Sequence, residues 1–512
     1  MTDTPAAVAT PNNVIVASKE KEASMVSLPD SRQLTLQPYI FMCAIFAAIA
    51  AFNAGFSTGV PNIPEKSIRA CSLDIQEAYS GTLPACLPMN DWTWGVAVGL
   101  YALGGLPGGL LAGFIANKIG RRDALLCNNF FFIVGGVLIS TSPHIVQFTI
   151  GRFLTGVGSG FACVVVSMYC AEISTIKYRG AIGTVLQLML VTGILISQAL
   201  GLSLSSSVSG WRWLFSITVV GSLFQLLLLP LCVRSPRWLI SKNRIDEAMQ
   251  ALKRLRKGYD ITEEFSEMVN AQQQDKEGGE KEGKHVSYNA QKTLNVFELL
   301  SNPALVKTAL LVMVVHGGSQ ISGINGVMYF STSIFDKSFG SAAPSVTVGI
   351  GCLNLVMTLI SSYLIDRAGR RMLLLTSTCG MSVMSTLMVI ASVLKIDALV
   401  VVSVMLFVAS FAIGLGTVPW LIVAELFPTY AVGAASSLAM GINWFCNFIV
   451  GLVFPTLKSA LGDYTFVVFA VTNMLLFLFT FFLIPETKGV SLEKTAGITK
   501  EVKNEPAVLS EI

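Results

Sequence analysis

The sequence predicts an all-α membrane protein of twelve transmembrane helices, in two six-helix halves with a cytoplasmic helical segment between them. Three observations predict this. Only 13% of residues are charged and 53% are hydrophobic, where a soluble domain carries roughly a quarter charged. Of the 35 Lys and Arg and 31 Asp and Glu, 23 fall between Arg234 and Glu298, leaving long stretches nearly uncharged. A bilayer core takes about 20 apolar residues per helix. Twelve such runs occur, at 38–60, 92–115, 124–142, 147–171, 180–204, 211–233, 304–332, 345–365, 372–393, 399–423, 434–457 and 464–484. The net charge of +4 forms no basic stripe, so nothing points to nucleic acid.

The elements follow in order. Residues 1–37 are a polar tail without an apolar core or cleavage site, so span 1 serves as its own membrane signal. Residues 38–233 carry spans 1 to 6, the N-terminal half. The loops after spans 2, 4 and 8 hold Lys118, Arg121, Arg122, Lys177, Arg179, Arg367, Arg370 and Arg371. The opposing loops 143–146 and 205–210 hold neither Lys nor Arg, although Lys66, Arg69, Lys337, Lys395 and Lys458 occur singly on that side. The positive-inside rule therefore makes the basic loops and both termini cytoplasmic, and the plasma membrane is the expected compartment. In the segment 234–303, Glu247, Ala248, Met249, Ala251, Leu252 and Leu255 recur at helical spacing, and 270–290 reads as a disordered linker. Residues 304–484 hold spans 7 to 12, and 485–512 form a cytoplasmic tail.

Eight of the ten cysteines lie in or at apolar spans, where a small buried thiol is expected. Cys71 and Cys86 share the external loop between spans 1 and 2; whether they form a disulfide is not legible from loop sequence.

The halves echo each other. Residues 112–126, AGFIANKIGRRDALL, match 361–375, SSYLIDRAGRRMLLL, and Ala171-Glu172-Ile173 matches Ala424-Glu425-Leu426. With Gly151-Arg152-Phe153, Glu172 seven residues before Arg179-Gly180, Ser235-Pro236-Arg237-Trp238-Leu239, and Pro485-Glu486-Thr487-Lys488-Gly489, the chain resembles the sugar porter branch of the major facilitator superfamily. Within that branch it is most similar to the facilitative glucose transporters, from about residue 38 to 490. The resemblance implies a carrier of small neutral sugars in a lipid bilayer, sufficient as a monomer, with no cofactor and no metal.

Intramembrane amides are costly unless paired or lining a wet cavity. Gln187 and Gln198 lie three turns apart on one face of span 5, roughly 16 Å along its axis. Asn443 and Asn447 are i and i+4 in span 11. In span 7, His316 and Gln320 share a face while Asn325 points elsewhere unless Gly323 unwinds the helix. Gly414, Gly416 and Pro419 interrupt span 10 just before Trp420, whose indole suits a pyranose face. The resemblance implies a sugar site of Gln187, Gln320, Asn325, Asn354, Trp420 and Asn443, with Ile194 and Phe411 as apolar wall. Two departures bear on the choice of sugar. Ser319-Gln320 stands where relatives carry a Gln pair, and Ala412 where they carry Glu.

Proton-coupled relatives carry an Asp in span 1, where this chain has Ser57, which does not titrate near neutral pH. Facilitated diffusion is therefore expected, with a proton-coupled symporter or a non-transporting sugar sensor as the alternatives. His316 is the residue through which proton coupling would have to run. The resemblance further implies a cytoplasmic latch built from Arg121, Arg122, Glu172, Arg179, Arg237, Asp366, Arg370, Arg371, Glu425 and Glu486. Arg234 and Val432 replace a Glu and an Arg of that latch, so a weakened latch and a more populated inward-open state are expected. No nucleophile triad or Gly-Lys-Ser/Thr loop is present, so enzyme chemistry is not expected.

Overall fold

The computed structural model describes residues 37–69, 82–175, 178–205, 207, 209–270, 294, 296–427 and 429–486. Residues 1–36 and 487–512 of the tails, residues 271–290 of the linker and Cys71 lie outside the described residues, as do the side chains of Arg179 and Asp366.

Every regular element among the described residues is helical. The N-terminal half is Pro38–Gly59, Asp91–Ile119, Arg121–Ser140, Ile145–Ile173, Arg179–Leu204 and Gly210–Leu228. The C-terminal half is Val306–Ile321 with Ile324–Phe339, Ala343–Ala368, Arg370–Val393, Asp397–Ile413 with Val418–Leu426, Thr429–Leu461 and Thr465–Leu483. Eleven apolar stretches are long enough to span a bilayer, and the last, Ala431–Leu483, has 53 residues. At 1.5 Å per residue it would reach about 80 Å, far beyond a bilayer core. The 3₁₀ turn Gly462–Tyr464 breaks it into two passes, giving the twelve-helix fold of a multi-pass membrane protein.

Helix ends run past the apolar runs. Span 7 continues to Phe339 rather than ending near residue 332, and span 11 begins at Thr429, because polar residues at a helix end still satisfy the backbone ladder. The repeated Gly-Arg-Arg has a local cause. Gly120 and Gly369 separate consecutive helices at φ 99° and 86° with extended ψ, a region open essentially to glycine.

Spans 2 and 4 approach closely. A Cβ at Gly104, Gly108, Gly156 or Gly160 would sit 1.9–2.1 Å from a facing carbonyl oxygen, so only glycine permits this seam. Cys43, Cys170, Cys232 and Cys446 are buried, but Cys127, Cys352 and Cys379 are exposed on apolar spans. Burial was the expectation for all eight, and a thiol is apolar enough to stand on a lipid-facing surface instead. Cys86 is disulfide-bonded.

Between the halves, Pro236–Ser241 and Ile245–Leu255 lie under the N-terminal half, with Ala248, Ala251, Leu252 and Leu255 inward. Met249, expected on that face, is exposed. Arg256, 1% exposed, donates to the carbonyls of Ile173 and Ser174 at the end of span 4 and pairs with Glu264 at 2.9 Å. Val296–Ser301 packs instead against span 11 of the other half.

Candidate functional site

The breaks in spans 7 and 10 build the site. Gly323 adopts φ 96° and starts a new helix at Ile324, so Asn325 turns toward Gln320 and its side-chain amide donates to Gln320 Oε1. In span 10 the helix stops at Ile413 and resumes at Val418. Ser377 Oγ accepts from Leu415 N at 3.1 Å across this gap, and His316 Nε2 lies 2.8 Å from the Pro419 carbonyl. Irregular backbone at membrane depth is thus satisfied by side chains from neighbouring helices. His316 also meets the Trp420 ring edge-on, with centroids 5.3 Å apart at 85°.

The two breaks border one chamber of about 140 Å³ between the halves. Gln187, Ile194, Gln320, Asn325, Asn354, Phe411, Trp420 and Asn443 all line it. The volume is below the ~300 Å³ at which drug-sized ligands are housed, which suits a monosaccharide better than an oligosaccharide. The lining, among the described residues, includes no Asp, Glu, Lys, Arg or His. An ionic ligand would find no counter-charge there, whereas a neutral polyhydroxylated one meets amides, hydroxyls and two indoles. Trp420 is 44% exposed, a high value for an indole within a bundle, and offers its ring to the chamber.

Sequence reasoning missed several lining residues. Tyr101 and Thr58 hydrogen-bond each other at 3.0 Å, and Tyr101 also donates to the Ala54 carbonyl at 2.8 Å. Trp444 packs edge-on against Tyr101, and Asn447 accepts from Tyr329 Oη at 3.0 Å. The i, i+4 relation of Asn447 to Asn443 was the available sign for the last. Gln198, on the face of Gln187, is buried toward Gly351 of span 8, beyond the chamber. His316 does not line it either.

Beside the chamber, Arg152 is 1% exposed. Its Nη1 donates to the Ser57 carbonyl at 2.6 Å and its guanidinium lies 4.6 Å above the Tyr101 ring. Its Nε and Nη2 have no hydrogen-bond partner among the described residues.

The chamber is sealed toward the end away from the Gly-Arg-Arg clusters. Asn62, fully buried after span 1, donates to the Met328 carbonyl at 2.7 Å and Ser331 Oγ at 2.8 Å, and accepts from Thr332 N at 3.0 Å. Lys66 pairs with Asp336 across the same seam. Spans 2 and 11 touch there, since a Cβ at Gly95 or Gly99 would meet Leu452. Toward the Arg-cluster end, Gly113 on span 2 and Gly433 on span 11 have nothing within 4 Å of where a Cβ would stand, and neither does Gly183 on span 5.

The clusters mirror each other. Arg121 pairs with Glu172 at 2.8 Å and donates to the Ala116 carbonyl; Arg370 pairs with Glu425 at 2.8 Å and donates to the Ile365 carbonyl. Arg122 and Arg371 donate to the carbonyls of Cys232 and Phe481. Glu486 accepts from Arg370 N and Arg371 N, at the N-terminus of span 9. In this conformation these pairs lie within their own half, and Arg237 is exposed. Arg234 pairs with Asp123 at 2.8 Å, so its exchanged charge is answered locally.

Comparison with known proteins agrees with this geometry. The family model described as "Sugar (and other) transporter" matches residues 43–498. The chain is 36% identical over 469 residues to solute carrier family 2, facilitated glucose transporter member 4 of Bos taurus, covering 89% of this chain and 90% of that one. It is 35% identical over 470 residues to member 3 of Mus musculus, covering 90% and 92%. Among solved structures, the xylose transporter XylE from E. coli in a partially occluded inward-open conformation superposes with TM-score 0.72 at 22% identity, covering 89% of this chain and all of that one. The inward-open form gives 0.72 at 23% identity, covering 90% and 100%. The fold is thus that of the major facilitator superfamily, and the chain belongs to the sugar transporter family and, within it, to solute carrier family 2.

Proposed function

We propose that the protein is a facilitative uniporter of hexoses in the plasma membrane, working by alternating access, with the Arg-cluster end and both termini cytoplasmic and a monomer as the working unit. The observation that carries this is the uncharged, amide- and indole-lined chamber at the seam of the halves, shut toward one end and parted toward the other. Gln187, Gln320, Asn325, Asn354 and Asn443 hydrogen-bond the sugar hydroxyls, Trp420 stacks on the ring, and Ile194 and Phe411 complete the wall. Flux of radiolabelled glucose, fructose, galactose and xylose into proteoliposomes tests it; saturable uptake of at least one is expected, and binding without flux would make the protein a sensor.

Proton coupling has little to act on here. Ser57 stands where coupled relatives have an Asp, and its carbonyl already occupies Arg152. His316, the other candidate, is 1% exposed and bonded to the span 10 kink.

The cytoplasmic latch closes when the halves rock the other way. With Arg234 answered by Asp123, Val432 is the remaining gap in it, half-buried against the core. Val432→Arg adds a cation to the acidic side of the latch, and an ion pair at such a seam contributes about 1 kcal/mol. The outward-open population is then expected to rise about fivefold, read from impermeant-maleimide labelling of Gly113→Cys. Unchanged labelling would remove Val432 from the latch.

A further inference from the structure

Glu65 opens the short helix Glu65–Arg69 directly after span 1, at the sealed end. It is 5% exposed, although Glu is almost never buried without full pairing. Arg69 Nε reaches Glu65 Oε1 at 3.1 Å, but that guanidinium is shared, with Nη1 2.6 Å from Asp91 Oδ1. Glu65 Oε2 is buried with no hydrogen-bond partner among the described residues. The charges facing it come from both halves. Arg69, Lys66 and Asp91 belong to its own half; Lys458, which donates to Ser333 Oγ at 2.7 Å, comes from span 11 of the other. Lys66 is itself paired with Asp336 across the seam. Glu65 therefore sits where the halves must part when this end opens, and it gains water when they do.

We infer that Glu65 is a proton-binding site in the seam between the halves, separate from the sugar chamber, whose occupancy sets how readily the external gate opens. The inference rests on the carrier reading above, which makes this end the external gate. Burial raises the Glu65 carboxyl above its ordinary value and Asp91 adds to this, while Arg69, Lys458 and Lys66 pull it down without cancelling the burial. On opening, solvation returns it toward the ordinary ~4.3 of a free Glu. The proton thus binds the closed gate more tightly than the open one. By linkage, acidification favours the closed gate, and raising pH through the elevated closed-state value ionises Glu65 and favours opening. One site changes the ratio by at most about tenfold per pH unit. Glu65 follows Asn62 toward the loop that joins spans 1 and 2, so its proton exchanges with the external side and not with the chamber. It modulates transport without being carried.

The test uses the full-length protein in proteoliposomes with spin labels at Trp92→Cys and Tyr464→Cys, exposed sites on the two halves near the sealed end. A second pair at Gly113→Cys and Gly433→Cys reports the Arg-cluster end. In the otherwise native chain, the long-distance population of the external pair should fall several-fold from pH 8 to pH 5. Glu65→Gln should hold it low and independent of pH, and Glu65→Asp, still titratable, should restore a pH response. A sugar-induced distance change retained in Glu65→Gln shows that the variant is folded. The native pH profile surviving in Glu65→Gln overturns the proton site. If the two label pairs fail to move reciprocally with sugar in the native chain, the carrier reading itself fails, whatever Glu65 does.

Discussion

Replacing Asn325 by Ala is expected to weaken sugar binding by about one to two orders of magnitude. Asn325 is 9% exposed and reaches the chamber only because Gly323 breaks span 7. Its amide donates to Gln320 and orients that side chain in the lining. Truncation removes the sugar contact proposed for Asn325 and leaves Gln320 Oε1 without its donor. An unpaired buried group costs roughly 1–3 kcal/mol, a factor of about 5 to 150 in affinity. Equilibrium binding of the transported hexose, followed by intrinsic tryptophan fluorescence, measures it. Affinity within twofold of the native chain would mean that Asn325 packs helices instead of holding substrate.

Asn62→Ala should have the largest effect on conformation, in the direction opposite to Glu65→Gln. Asn62 makes three hydrogen bonds to span 7 of the other half, at 2.7, 2.8 and 3.0 Å. At about 1 kcal/mol each, they favour the externally closed state by ~3 kcal/mol, a factor on the order of a hundred. Their loss should move most molecules toward the outward-open state and slow the return step of the transport cycle. The spin-label pair at Trp92 and Tyr464 reads this as a dominant long distance. A distribution unchanged from the native chain would place the seal elsewhere, with Lys66 and Asp336 the next candidates.

Much of this architecture is legible from residues alone, and the rest has definable causes. The twelve passes follow from runs of apolar length, and Gly323 offers the place to unwind that would bring Asn325 onto the face of Gln320. Span 10 announced its gap through Gly414, Gly416 and Pro419, since a bilayer tolerates unwound backbone only where it is buried in protein or lines a cavity. Tyr101 and Trp444 were not legible, because an aromatic in an apolar span reads the same whether it meets lipid, a neighbouring helix or a chamber. Asn62 carries no signal in the sequence: its partners lie 266 to 270 positions away and meet it only where the halves close. Arg234 looked like a defect in the latch until Asp123, 111 positions earlier, came beside it. Residue type and helical spacing fix which face a side chain occupies, but only packing decides what that face meets.

The central claim, an uncoupled sugar carrier, is tested most directly by the end point of uptake. Proteoliposomes holding the full-length protein are given radiolabelled hexose with and without an inward proton gradient, and internal sugar is followed to its plateau. An uncoupled carrier brings the internal concentration up to the external one and no further, gradient or not, while external acid alters only the rate through Glu65. Accumulation above the external concentration that collapses on adding a protonophore would contradict the account and return His316 to consideration as a proton carrier.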